Sequence, residues 1–200
     1  MYIIDVNFNY NGTLTKRYST NYIVLHHRAG DGDVNSIHSQ HLRQGYAGIG
    51  YHFYVRKDGT VYRGRPVNTI GAHCLNYNRV SVGVCFEGNF EQEKPTKEQI
   101  KSGIDIVNYL LNLYPKAKVV RHKDLSETLC PGKNFDINEI LNNVEVGNVE
   151  ELITVNDIVW ELSNKGIITD KELWLKKLNT DQNAYWLARK CVNYIKENVQ

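Results

Sequence analysis

Two hundred residues, 42% hydrophobic and 23% charged, have the balance of a soluble globular protein with one good-sized domain, or one domain and a small appendage. A net charge of +2 and a pI near 8.2 are too mild for a protein that lives on nucleic-acid phosphates, which carries a larger and more clustered excess. No segment approaches the roughly 20 apolar residues of a membrane span, and Met1-Tyr2-Ile3-Ile4-Asp5-Val6 has neither the basic start nor the apolar run of a signal peptide. The expectation is synthesis in the cytoplasm without a signal peptide.

In chain order, Tyr22-Ile23-Val24-Leu25-His26-His27 is apolar and rich in β-branched residues, and reads as a buried strand stopped by Ala29-Gly30-Asp31-Gly32. Residues 34–44 follow as a helix. Tyr51 to Val55 and Thr60 to Arg63 alternate around Lys57-Asp58-Gly59, whose Asp-Gly predicts a hairpin. Ser81 to Glu87 is another short apolar strand. Pro95-Thr96, with Gln99 at capping-box spacing, opens the clearest helix. Ile100, Ile104, Val107, Leu110, Leu111 and Tyr114 recur at helical period until Pro115 stops it. Lys118 to Arg121 is one more strand, and a short helix is expected near 136–143. Alternating strands and helices predict an α/β fold with a mixed central β-sheet flanked by helices.

After Val146-Gly147 no strand-like run remains. Thr169 to Glu172 is a second capping-box pattern, Gly166 suits a helix end, and 181–197 is amphipathic. The division expected is a domain over 1–145 and a small helical C-terminal module over 150–200. Trp160, Trp174 and Trp186 all fall in the module. In a unit of about 50 residues they read first as core; a wall-binding surface or a self-association face is the functional alternative.

The four cysteines have no disulfide-framework spacing. Cys85 and Cys191 are expected as packed thiols. Cys130 differs. His26 ends one strand, His122 follows another, and Cys130 lies eight residues further in a loop closed by Pro131-Gly132. A His-His-Cys set leaves one tetrahedral zinc position open, as catalytic sites do. Spacing alone does not separate this from three histidine and cysteine residues with packing roles.

Several blocks stand in one order: Ile23-Val24-Leu25-His26-His27-Arg28-Ala29-Gly30; Gly50-Tyr51-His52-Phe53; Asp58-Gly59-Thr60-Val61-Tyr62-Arg63-Gly64-Arg65; Arg121-His122-Lys123-Asp124; and Thr128-Leu129-Cys130-Pro131-Gly132. In order and spacing they closely resemble the N-acetylmuramoyl-L-alanine amidase type 2 family, which includes phage lysozyme-type amidases and peptidoglycan recognition proteins. The likeness covers roughly residues 20–142. It implies Zn2+ held by His26, His122 and Cys130, with Tyr51 and Thr128 as catalytic residues and His73 in substrate binding. Tyr51 would donate a hydrogen bond to a developing oxyanion or orient the attacking water. Thr128 offers a hydroxyl where some phage members carry lysine. Of His26-His27 only one faces the metal, since neighbouring strand residues point to opposite sides; the family pattern selects His26. Another branch carries a glutamate where this chain has Cys85, and Glu87 is the nearest carboxylate left.

The activity implied is zinc-dependent hydrolysis of the amide between N-acetylmuramic acid and L-alanine in bacterial peptidoglycan, as in a phage or prophage endolysin released through a membrane hole. A bacterial autolysin fits equally. The alternative is a non-catalytic peptidoglycan-binding recognition module. A stem-peptide zinc peptidase is disfavoured, because His-Glu-x-x-His and its inverted form are absent. Peptidoglycan is thus the expected partner, with no nucleic acid, no transmembrane segment, and self-association only through the C-terminal helices.

Overall fold

The structure, a computed structural model, describes residues 3–144 and 155–180 together with Ala184, Ala188 and Cys191. The chain divides into two compact units, Met1–Glu150 and Glu151–Gln200.

The first unit holds six strands: β1 (Ile3–Asp5), β2 (Tyr22–His27), β3 (Phe53–Val55), β4 (Val61–Arg63), β5 (Ser81–Phe86) and β6 (Lys118–Arg121). Its helices are α1 (Val34–Arg43), α2 (Lys97–Leu113) and α3 (Asn138–Leu141), with single 3-10 turns at Asn78–Val80 and His122–Asp124. The sheet order is β1-β4-β3-β5-β2-β6. The β3–β4 hairpin is antiparallel and the other neighbours are parallel, so the sheet is mixed, as the alternation of elements predicts.

All of β5 and all of β2 except Tyr22 are buried. Strands covered on both faces read as continuous apolar runs rather than alternating ones, which is how both were recognisable in the sequence. The hairpin turns at Gly59, which adopts φ +83°, the left-handed conformation that Asp-Gly turns use. Strand β3 begins at Phe53, two residues later than the alternation suggests. Tyr51 is still tied across to the segment just after β4, its carbonyl accepting from Arg65 N–H at 2.8 Å, but it lies in the connection leading into β3. Strand β1 was not expected. It is a three-residue edge strand whose Asp5 pairs with Arg63 at 2.8 Å, too short to leave a periodic signal.

Helix α2 starts with the predicted reciprocal cap. Thr96 Oγ1 accepts from Gln99 N–H at 3.0 Å, and Gln99 Oε1 accepts from Thr96 N–H at 3.1 Å. The Gln99 amide also donates to Glu87 O at 2.8 Å, fixing the helix start to the end of β5. Val107, Leu110 and Leu111 are buried as expected, whereas Ile100 and Ile104 are half-buried; the inward face is rotated towards Gln99, Gly103 and Ile106.

In the second unit, α4 (Val155–Asn164) and α5 (Lys171–Thr180) pack around Ile158, Val159, Leu162, Ile168, Leu178 and Ala188. Gly166, at φ +69°, closes α4: its N–H bonds Ser163 O at 3.0 Å and Ile167 N–H bonds Leu162 O at 2.8 Å. This is the paired pattern of a Schellman cap. The cap of α5 is Asp170, not Thr169. Asp170 Oδ1 accepts from Leu173 N–H at 3.0 Å, because a carboxylate one residue later reaches the free amide and adds charge favourable at a helix start. Trp174 packs against the core, with Lys177 over its ring, but Trp160 is 60% exposed. Core packing therefore holds for Trp174 and not for Trp160. Trp186 and most of 181–197 lie outside the described residues. Cys191 is exposed rather than packed.

Candidate functional site

Register places the site. Strand β2 pairs with β6 up to Leu25 opposite Arg121, and with β5 at His26 opposite Cys85. The next residues, His26 and His122, therefore emerge side by side at one sheet edge, with ring centroids 4.5 Å apart. The His122 turn is held by Asp124, whose carboxylate accepts from Arg121 N–H at 2.8 Å, Nε at 3.1 Å and the second guanidinium nitrogen at 2.9 Å.

The loop carrying Cys130 folds back onto both strands. Cys130 O accepts from Lys123 N–H at 2.8 Å, and its Sγ accepts from His27 N–H at 3.4 Å. Sγ stands 3.7 Å from His26 Nδ1. One ligand atom from each of His26, His122 and Cys130 lies within 4.8 Å of the others. Tetrahedral bonds of about 2.1 Å to nitrogen and 2.3 Å to sulfur put those two atoms about 3.6 Å apart, so the His26–Cys130 pair stands at a zinc-ligand separation and the donor types suit zinc in chemistry.

These residues line a cleft of about 410 Å³ together with Tyr51 and Thr128. Tyr51 packs its ring 5.2 Å from that of His26. Burial, with Cys85 and Cys130 adding to it, holds the Tyr51 phenol well above its ordinary pKa, so it stays a donor. Thr128 Oγ1 accepts from Cys130 N–H at 3.3 Å, which leaves the hydroxyl proton for the cleft. Burial pushes His26 well below the ordinary histidine value, with the neighbouring His73 and His122 adding to the effect. Burial lowers His122 too and raises the Cys130 thiol to about 12.

His27 points away, as alternation requires, and its Nδ1 accepts from Phe90 N–H at 3.1 Å. His73 is not among the residues lining the cleft; its Nδ1 sits 3.0 Å from His26 Nε2. Cys85 is fully buried, packed with Val34, Ile37, Ile49 and Tyr54. Glu87 offers no free carboxylate oxygen: Gly32 N–H reaches one, and Arg56 Nε and Lys57 N–H reach the other, at 2.7–3.0 Å. It ties loops together and faces no substrate.

Sequence reasoning missed the supports of Tyr51. On α1, His38 Nδ1 accepts from Ile49 N–H at 3.1 Å and His41 Nδ1 accepts from Gly50 N–H at 3.0 Å. The available signal was their i, i+3 spacing, which puts both on one helix face. Asn89 and Glu91 also line the cleft; nothing in their local pattern marked them.

The fold and this donor set define a class: a mixed sheet that gathers two histidines and a cysteine at the mouth of a cleft. A family profile described as N-acetylmuramoyl-L-alanine amidase matches residues 16–133, and the chain belongs to that family, whose chemistry is amidase-type hydrolysis of peptidoglycan. An endolysin of Enterobacteria phage K11 is 35% identical over 132 residues, covering 62% of this chain and 86% of the phage protein. Among solved structures, the endolysin amidase LysCS of Clostridium intestinale URNW is 42% identical, with TM-score 0.68, over 72% of this chain and 96% of its own. A peptidoglycan recognition protein from the LCa–LCx ectodomain complex with tracheal cytotoxin is 30% identical, with TM-score 0.64, over 69% of this chain and 95% of its own. Among the described residues no helix is long and apolar enough to cross a membrane.

Proposed function

We propose that this chain is a zinc-dependent endolysin-type amidase that cuts peptidoglycan between N-acetylmuramic acid and L-alanine. The observation that carries the reading is the convergence of His26, His122 and Cys130 within 4.8 Å in a cleft that also holds Tyr51 and Thr128. When bound, zinc supplies Lewis acidity, polarising a carbonyl and bringing water deprotonation near neutral pH. The Tyr51 phenol donates to the oxyanion that develops on the lactyl carbonyl oxygen. The Thr128 hydroxyl adds a second, neutral donor. A donor set fixed before reaction costs no reorganisation when charge appears. Catalysis is assigned to residues 1–145 and cell-wall targeting to the helical unit over 150–200, the latter supported by the exposed Trp160, Ile167 and Leu173.

Mass spectrometry of purified peptidoglycan after digestion, beside a chelator-treated control, tests this. Stem peptides beginning at L-alanine, intact glycan chains and a blank control are expected; cuts within the peptide would instead indicate a peptidase. A recognition module is the second reading, favoured by the likeness to a recognition protein solved with tracheal cytotoxin. Binding to the wall with bound zinc and no released peptide would select it.

A further inference from the structure

We propose that His73 and Ser81 are positioning residues that fix the tautomer of His26, so that its Nδ1 lone pair is aimed at the metal position. The inference rests on the zinc reading above, and deepens it.

The directions of three hydrogen bonds determine the outcome. Ser81 Oγ donates to Tyr77 O at 2.7 Å. A carbonyl only accepts, so the single hydroxyl proton of Ser81 is committed there. Towards His73 Nε2, 3.4 Å away, Ser81 Oγ therefore presents a lone pair, and Nε2 must carry the proton. A neutral imidazole has one donor and one acceptor nitrogen, so His73 Nδ1 is an acceptor. His26 Nε2 lies 3.0 Å from it and donates. The remaining nitrogen, His26 Nδ1, is left with its lone pair, and it faces Cys130 Sγ at 3.7 Å. One backbone carbonyl, at Tyr77, thus sets the polarity of a chain that ends inside the site.

The His73 ring is seated for this task. It packs edge-on to His26, centroids 5.0 Å apart at 85°. Glycines bound it: a Cβ on Gly71 would come within 2.5 Å of the ring and one on Gly83 within 2.6 Å. Its own backbone is held by Asn78, whose Oδ1 accepts from His73 N–H at 2.8 Å and Cys74 N–H at 2.9 Å. Metal-binding histidines usually donate their second nitrogen to a carboxylate or carbonyl that fixes the ring, and loss of such a partner costs about 10–100-fold in metal affinity. Here another imidazole fills that place, and it brings no negative charge.

The test uses the full chain. Long-range proton–nitrogen NMR on the metal-free protein should show His26 protonated at Nε2 and bare at Nδ1; the opposite tautomer would overturn the proposal. Zinc affinity, read by chelator competition, should fall about 10–100-fold in His73→Ala. Asn places its side-chain oxygen near the position of Nδ1, so His73→Asn should restore most of that loss, which a purely space-filling role would not allow. Ser81→Ala should leave His26 as a mixture of tautomers. If wild-type protein binds zinc and a folded His73→Ala binds it equally well, the positioning role is wrong and the metal reading stands. If the wild type binds none, the metal reading itself fails. Should His73→Ala not fold, the tautomer in the wild type decides.

Discussion

At the scale of single residues, the proposed mechanism divides the site into groups that hold and groups that act, and substitutions should separate them. Tyr51→Phe removes one donor without touching His26, His122 or Cys130. It should retain its metal while turnover falls by about 10²–10³-fold, checked by metal content beside muropeptide release; an unchanged rate removes Tyr51 from the chemistry. A second prediction concerns protons. Burial keeps both ligand histidines neutral at pH 7.5, and keeps the Cys130 thiol protonated with its pKa near 12. Ligands bind metal only when deprotonated, so zinc uptake at pH 7.5 should release one proton from Cys130 and up to about one more from water bound to the metal, measurable by calorimetry in buffers of different ionisation enthalpy. Release beyond these two would mean that a histidine is charged in the free protein. Which residues would meet was legible in the sequence for His26, Tyr51, His122, Thr128 and Cys130, because they fall inside contiguous motifs. The partner of His26 was not legible. His73 is 47 positions away, and its contact depends on how closely the backbone at Gly71 and Gly83 approaches the ring, which no local pattern encodes.

At the scale of elements, local signals were reliable where the chemistry is local. The Thr96–Gln99 cap, the Gly59 turn and the two central strands each follow from a few adjacent residues. Boundaries failed where tertiary contacts intervene, as at Tyr51, or where the element is short, as at β1. Glu87 shows why a carboxylate near a site need not act in it. Burial alone would raise its pKa, but hydrogen bonds from Lys57 and Gly32 N–H and from Arg56 outweigh burial and hold it below the usual carboxylate range. A folded-state pKa below the unfolded one means stability present above the ordinary glutamate value of about 4.3 and lost as pH falls through and below it. Glu87→Gln should therefore cost about 1–3 kcal/mol at neutral pH and flatten the decline between roughly pH 5 and 3. Urea unfolding at several pH values measures both; an unaltered slope would show that another group governs acid loss.

At the scale of the whole molecule, the two compact units have separate cores, and the second has its own caps at Gly166 and Asp170. Its exposed Trp160 is the feature that a targeting role would use. In the full chain, Trp160→Ala should weaken sedimentation with purified cell walls while cleavage of soluble muropeptides stays unchanged. Equal binding by the variant removes Trp160 from targeting, and a concentration-dependent mass lost in the variant would instead assign that surface to self-association. The placement of the cleft has one more consequence. His26 and Cys130 stand 104 positions apart in the chain, and an ion gripping both would act as a removable crosslink across about two-thirds of the first unit. A ligand that binds only the folded form raises the melting temperature with its own free concentration. On the proposed zinc reading, protein starved of the metal would be easier to digest as well as inactive, so that a protease in the surroundings would clear unloaded molecules first.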